Sequence, residues 1–362
     1  MASSPAPRRI GERATLADVA ALAGVSTSTA SLAFRTAGSI TDRTRARVLH
    51  AARELDYAGP NPTARSLKRG KSGIVGVIVA EQVRFAFMNP VTIATMDGLS
   101  EVLDELNCGQ LLLPGRAEPG ASGPNIADMP LDGIVFVTRG EELERLLPSL
   151  RARRIPMVGI EGPHYDDVSL VEIDDYAAMR LVAEHVHGLG HERVGVVMRT
   201  TRPAVTAEPG PVRLIGEVTG TVTNRTIGER LRAVVGLWPR AAVVEAGGRL
   251  ADAGEAAAQR LLSLEPRPTA ILAQNDQLAS GVLRAAARRG LRVPEDLTVT
   301  GFDGAELPWL DRELTTVAQP LHERGRLAGR MIGQLMAGAH PANVVIPVSL
   351  REGETAGPPP AE

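Results

Sequence analysis

Leu16, Val19, Ala20 and Ala23 recur at helical spacing in TLADVAALAGVSTSTASLAFRT, and Gly24 follows where a left-handed cap suits a residue without a Cβ. Ser26 can cap a second helix whose Ala30, Ala33 and Phe34 form the inward stripe. Thr27, Ser28, Ser31, Leu32 and Arg35 then face outward, and Val25 is placed to plug the turn. A third segment, DRTRARVLHAARELDY, follows a Thr41 cap and presents Val48, Leu49, Ala52 and Leu55 to the same interior. Three short helices with one tight turn predict a helix-turn-helix domain.

From Gly73 the pattern changes. Apolar runs (GIVGVIVA, GQLLLP, LDGIVFV, IPMVGI, RVGVVM, TAILAQ, LTVTGF) alternate with amphipathic ones (MDGLSEVLDEL, EELERLLPSLRARR, YAAMRLVAEHVHGLG, AGEAAAQRLLSL, LASGVLRAAARRG). Strands without polar alternation are buried on both faces, which is the signature of parallel sheets covered by helices. The fold expected is therefore an N-terminal all-α helix-turn-helix domain followed by an α/β core of two doubly wound parallel-sheet subdomains. Pro203, Pro209 and Pro211 interrupt the stretch 199–226, in which VRLIGEVTGTV alternates like an exposed strand or hairpin.

Between the two regions, AGPNPTARSLKRGKSG offers Asn61 as a cap, Pro62 at the first helical position, and Ala64 and Leu67 on one face. So short a helix is marginal alone and forms only against a partner. The divisions expected are a disordered leader (1–13), a helix-turn-helix domain (14–58), a hinge (59–72), a core (73–353) and a disordered tail (354–362). Within the core, one subdomain takes 73–187 and 321–345, and the other takes 188–320 and 346–353.

Charge adds a direction. The 362-residue chain carries a net charge of -2, yet residues 1–72 hold 12 Lys or Arg against five acids, a net +7 that leaves -9 on the rest. A basic head on an acidic body points to a polyanion partner for the head alone. Cys108 is the one cysteine, so no intramolecular disulfide forms and a reducing compartment is expected. The opening MASSPAPRRIGER has no apolar stretch for a signal peptide, and no run is long enough to span a membrane, so a cytoplasmic protein without membrane contact is expected. His185, His187 and His191 lie close together without a nearby cysteine, and no phosphate-binding glycine motif or nucleophile elbow occurs. No catalysis, metal or cofactor is expected.

The motifs TLADVAALAGVSTSTAS, TRARVLHAARELDY, PNPTARSL, LGHERVGVV, AILAQNDQLASGVLRAAARRGLRVPEDLTVTGFD and ELTTVAQPLHERGRLAGRMI, in this order, resemble the lactose-repressor (LacI/GalR) family of bacterial transcription regulators. The resemblance implies a homodimer on a near-palindromic double-stranded DNA operator, controlled by a small molecule, a sugar or derivative, between the core subdomains. A small-molecule binding protein without regulatory DNA binding is the alternative. Thr27, Ser28 and Leu32 match the family's base-reading positions. Thr15, Ser26, Thr29, Ser31 and Arg35 are implied at phosphates, with Ser26 equally a plain helix cap. Asn61, Ala64 and Leu67 match the hinge, where the leucine wedges into the minor groove. Leu32 departs from the pattern, because many members carry an arginine there that can bond guanine.

At the ligand end the resemblance implies Asp174, Arg230, Asn275 and Asp303 as effector contacts, with Arg232 a rival to Arg230. Two carboxylates, a guanidinium and an amide suit the hydroxyls of a sugar. Phe85 and Phe87 are either a stacking wall or ordinary core. Gly304 stands where an acid is common in the family. The resemblance leaves both signs of effector action open, inducer and corepressor.

Overall fold

The computed structural model describes residues 14–34, 40–59, 70–79, 83–115, 126–137, 146–201, 213–215, 222 and 224–361. The chain divides into two compact units, residues 1–72 and 73–362.

In the first unit, α1 (Leu16–Leu22) and α2 (Thr27–Ala33) are bent by 98° across the turn, and α3 (Asp42–Glu54) packs on both. Thr15 and Asp18 form a reciprocal capping box at α1, the Asp18 carboxylate accepting the Thr15 N–H at 2.9 Å. Gly24 adopts φ +63, with open space around its missing Cβ, so conformation rather than crowding selects glycine there. Val19, Ala20, Ala23, Ala30, Ala33, Val48, Ala51 and Ala52 form the core, with Phe34 set edge-on to Tyr57 at 5.7 Å. Leu49 is a correction, since it is 36% exposed and Ala51 takes the inward place. Positions 48, 51, 52 and 55 share one helical face, whereas 49 lies about 100° round from 48.

The second unit holds two sheets. The first, in order β12-β5-β4-β3-β1-β2, is parallel throughout, with β1 (Ile74–Val79), β2 (Gly109–Pro114), β3 (Gly133–Phe136), β4 (Met157–Ile160), β5 (Ser169–Glu172) and β12 (Val344–Val345). The second runs β13-β11-β10-β9-β6-β8-β7, with β6 (Val194–Met198), β7 (Arg213–Ile215), β8 (Ala242–Glu245), β9 (Ala270–Ala273), β10 (Thr298–Asp303), β11 (Thr315–Ala318) and β13 (Ser349–Arg351). Its central strands are parallel, and β7 and β13 close the edges antiparallel. β7 falls in the stretch whose alternation suggested an exposed strand.

The helices of this unit are α4 (Val83–Ala86), α5 (Pro90–Glu105), α6 (Leu147–Ala152), α7 (Asp175–Gly188), α8 (Arg225–Val235), α9 (Ala251–Leu261), α10 (Asp276–Arg288) and α11 (Leu321–Met336). α11 lies against α5 so closely that a Cβ on Gly98 would sit 1.9 Å from the His322 carbonyl oxygen. Glycine is thus a packing requirement at that crossing.

Two expected boundaries are corrected. α7 belongs with the second sheet, because its apolar face (Ala178, Met179, Val182, Val186) packs on β10, β11, β13 and α8. The first crossing between sheets therefore comes just before Asp175, not at residue 187. The tail at 354–361 is ordered against the second sheet. Thr355 is fully buried, its carbonyl accepts from the Val299 N–H at 2.8 Å, and its hydroxyl accepts from the Thr315 N–H at 3.0 Å. Gly357 bonds Thr298, and its carbonyl meets the ring of His191, whose pKa burial pushes down. This segment is held by hydrogen bonds, through its backbone and the Thr355 hydroxyl, so it leaves no apolar periodicity in the sequence.

Candidate functional site

On the head, α2 begins at a Ser26 cap whose hydroxyl accepts from the Thr29 N–H at 3.1 Å and lies 2.8 Å from the Thr29 hydroxyl. Thr27 and Ser28 are exposed on the first turn, and Leu32 and Ser31 are half-buried one turn on. Ser28 and Leu32, four apart, share a face. The Thr15 hydroxyl is occupied inside the capping box, donating to Asp18 at 2.8 Å. Arg35, Asn61, Ala64 and Leu67 lie outside the described residues. Arg43 and Arg47, exposed in the first half of α3, add cations to this unit.

In the core, polar side chains collect where the strands end. Glu161 follows β4, Arg199 follows β6, Gln274 and Asn275 follow β9, Asp303 ends β10, and Gln319 follows β11. In parallel α/β sheets this carboxyl edge is where ligands bind. The chain also crosses between the sheets beside this edge, before Asp175 and after Gln319.

Arg230 is 1% exposed. Its Nε donates to Asp175 Oδ1 at 2.8 Å, its Nη1 donates to the Gln274 carbonyl at 2.8 Å, and its guanidinium lies 3.5 Å over the Phe302 ring. Burial opposes its charge, but Asp175, Asp303 and Glu161 outweigh that and raise its pKa. Arg324, also buried, bonds Glu161 at 2.7 Å, Gln319 Oε1 at 2.9 Å and the Thr95 hydroxyl at 3.1 Å. A single arginine thus joins the end of β4, the crossover after β11 and α5.

Asp303 sits at φ 136, a conformation that L residues rarely adopt, and accepts from Gln319 Nε2 at 3.0 Å. Burial, then the neighbouring Asp276 carboxylate, pushes its pKa up to about 7, against the pull of Arg230 and Arg199. Asp276 is itself raised by burial, though the Thr316 hydroxyl and the Ala305 N–H both donate to it. Gly304, at φ +69, explains the missing acid, since a Cβ there would lie 2.6 Å from Ala318 Cα.

The four residues matched to effector contacts fare differently. Asp303 and Arg230 lie in this polar cluster. Asn275 caps α10, accepting from the Leu278 N–H at 2.7 Å, and donates to the Arg249 carbonyl at 3.3 Å. Asp174 is exposed and caps α7, while its neighbour Asp175 holds Arg230. Arg232 points away, 64% exposed, against Glu229 and the Tyr176 ring. Phe87 is 58% exposed, which does not fit ordinary core packing. Glu161, Asp175, Arg199, Gln274, Gln319 and Arg324 were not singled out by motif. Except for Asp175 and Arg324, each is the first or second polar residue after a buried strand, a signal the sequence carries.

Neighbouring carboxylate, guanidinium and amide groups of this kind can hold the hydroxyls of a polar ligand. Among the described residues, no group of His, Cys, Asp and Glu is arranged to hold a metal ion.

Residues 15–61 match the bacterial regulatory proteins, lacI family, and residues 183–356 match the periplasmic binding protein-like domain. The chain is 36% identical to an HTH-type transcriptional regulator of Mycolicibacterium smegmatis, over 99% of this chain and 100% of that one. Among solved structures, it is similar to the lac repressor dimer bound to operator and an anti-inducer (23% identity, TM-score 0.69, 96% of this chain and 100% of that one). It is also similar to the transcriptional regulator CelR in complex with cellobiose (23% identity, TM-score 0.63, 95% and 100%).

Proposed function

The chain belongs to the lacI family of bacterial regulatory proteins, and on that footing we propose that it is a cytoplasmic, homodimeric repressor of a near-palindromic operator, released by a sugar or sugar derivative. In this reading Thr27, Ser28 and Leu32 read base edges in the major groove. Thr15, Ser26, Thr29, Ser31 and Arg35 face phosphates, and Asn61, Ala64 and Leu67 form the hinge, whose leucine enters the minor groove.

The observation that supports an effector site most directly is the polar cluster at the carboxyl edges of both sheets, where Arg324 ties Glu161 of one sheet to Gln319 of the other. A ligand seated among Arg230, Asn275 and Asp303 would alter the angle between the sheets at their crossovers. That change would separate the paired hinges and weaken operator binding. A coupling of ~1–3 kcal/mol suffices for a useful switch. The relative complexed with cellobiose supports a carbohydrate as the ligand class.

The test is selection of bound sequences from random DNA by the purified full chain, followed by titration of the selected site with candidate sugars. A repressor gives a near-palindromic consensus whose affinity falls with salt and with one ligand. Sugar binding without salt-sensitive DNA binding would leave only a binding protein.

A further inference from the structure

The arginines of the cleft are not equally compensated. Arg230 has Asp175 and a carbonyl, and Arg324 has Glu161, Gln319 and Thr95. Arg199 has no such partner. Its backbone N–H reaches Gln274 Oε1 at 3.2 Å, and its Nε, like those of Arg249 and Arg324, is closed to solvent with no hydrogen bond, but among the described residues no ion pair or side-chain bond offsets it as Glu161 and Gln319 do for Arg324. The residue follows directly on β6, at the carboxyl edge, and is only partly buried.

Burial and neighbouring cations both act on Arg199. Burial first, then Arg230 and Arg249, lower its pKa to about 10, against the opposite pull of Asp303 and Glu161. Neither carboxylate is free to neutralise it. Asp303 is held by Gln319 and carries only part of a charge near neutral pH, and Glu161 is bonded to Arg324. A guanidinium without an ion-pair partner is costly in a partly buried place, whereas an arriving oxyanion would meet a planar fork of donors.

We propose that the effector is an anionic sugar derivative whose oxyanion, phosphate ester or carboxylate, binds Arg199 where Arg230 and Arg249 reinforce the positive field. Its hydroxyls are left to Asp303 and Asn275. The proposal rests on the cleft being the effector site and specifies what that site selects.

The test is calorimetry on the full chain with hexoses, their 6-phosphates and the matching uronates, and with inorganic phosphate as competitor. At least one charged ligand is expected to bind tenfold or more tightly than its neutral parent, with phosphate competing. The ester and uronate arms tell the two oxyanions apart. R199Q is expected to erase that preference, and R199K to keep part of it. R199Q is also expected to melt at a higher temperature than the parent without ligand, because it removes an uncompensated charge. Neutral sugars binding as tightly as charged ones, or R199Q leaving the preference intact, would overturn the proposal and leave the cleft reading standing. If no member of the panel binds or alters DNA binding, both fall together.

Discussion

Arg230 and Asp175 form a buried ion pair, Nε to Oδ1 at 2.8 Å, that joins α8 to the first turn of α7 beneath the Phe302 ring. The pair sits beside the first crossing between the sheets. Removing one partner strands a buried charge. D175A is therefore expected to lose about 3–5 kcal/mol of stability, read as a lowered urea midpoint. R232A, at an exposed position, is expected to change it by less than about 0.5 kcal/mol.

Asp303 gives the core a defined pH dependence. Its pKa is about 7 in the folded chain, well above the ordinary carboxylate value of 3.8. The folded state thus binds more protons than the unfolded one between those values. Its contribution is fully present below the unfolded pKa and is lost as pH rises through about 7, with a slope of up to about 1.4 kcal/mol per pH unit for one proton. His191, whose pKa is lowered by burial, acts in the opposite sense below its usual value. D303N is expected to remove the falling slope between pH 4 and 7, measured as the difference from the parent in urea unfolding across that range.

The ordered tail carries its own test. Truncation after Gly353 deletes the hydrogen bonds from Val299 and Thr315 to Thr355 and from Gly357 to Thr298. At about 1 kcal/mol each, with the Glu354–Glu313 and His191–Gly357 bonds lost as well, the truncation is expected to cost on the order of 3 kcal/mol or more, seen as a lower midpoint in chemical unfolding. An unchanged midpoint would mean that the segment does not hold the sheet.

Most of the architecture was legible in the sequence because it is written in apolar periodicity. Val75, Val77 and Ile78 announce a doubly buried strand, and Ala30 and Ala33 announce a helix face. The misplacements occurred where other forces decide. Thr355 is held by hydrogen bonds to its carbonyl and hydroxyl, and Leu49 sits one step round the helix from the inward stripe. α7 reads as a helix from its sequence, but which sheet it packs on is a tertiary choice. The cleft was legible only in part for the same reason. Asp303, Asn275 and Gln319 stand in recognisable motifs, whereas Arg199 does not, and no motif says which strand ends the topology brings together.

Leu32 sets an expectation for the head. A leucine offers only apolar contact, for instance to a thymine methyl, where an arginine could pair with guanine. L32R is expected to shift the selected operator toward guanine at one symmetric pair of positions, with ~1–3 kcal/mol of new discrimination per contact. Fluorescence anisotropy on operators varied at those positions measures it.

The central claim, that a ligand in the core controls DNA binding by the head, is tested most directly by one titration. Operator affinity of the full chain is measured with and without the ligand that calorimetry identifies, at fixed salt, alongside D303N. The account expects the ligand to weaken operator binding by roughly 5–150-fold, and D303N to bind operator normally while losing most of that response. Operator affinity unmoved by a ligand bound in the cleft would contradict it.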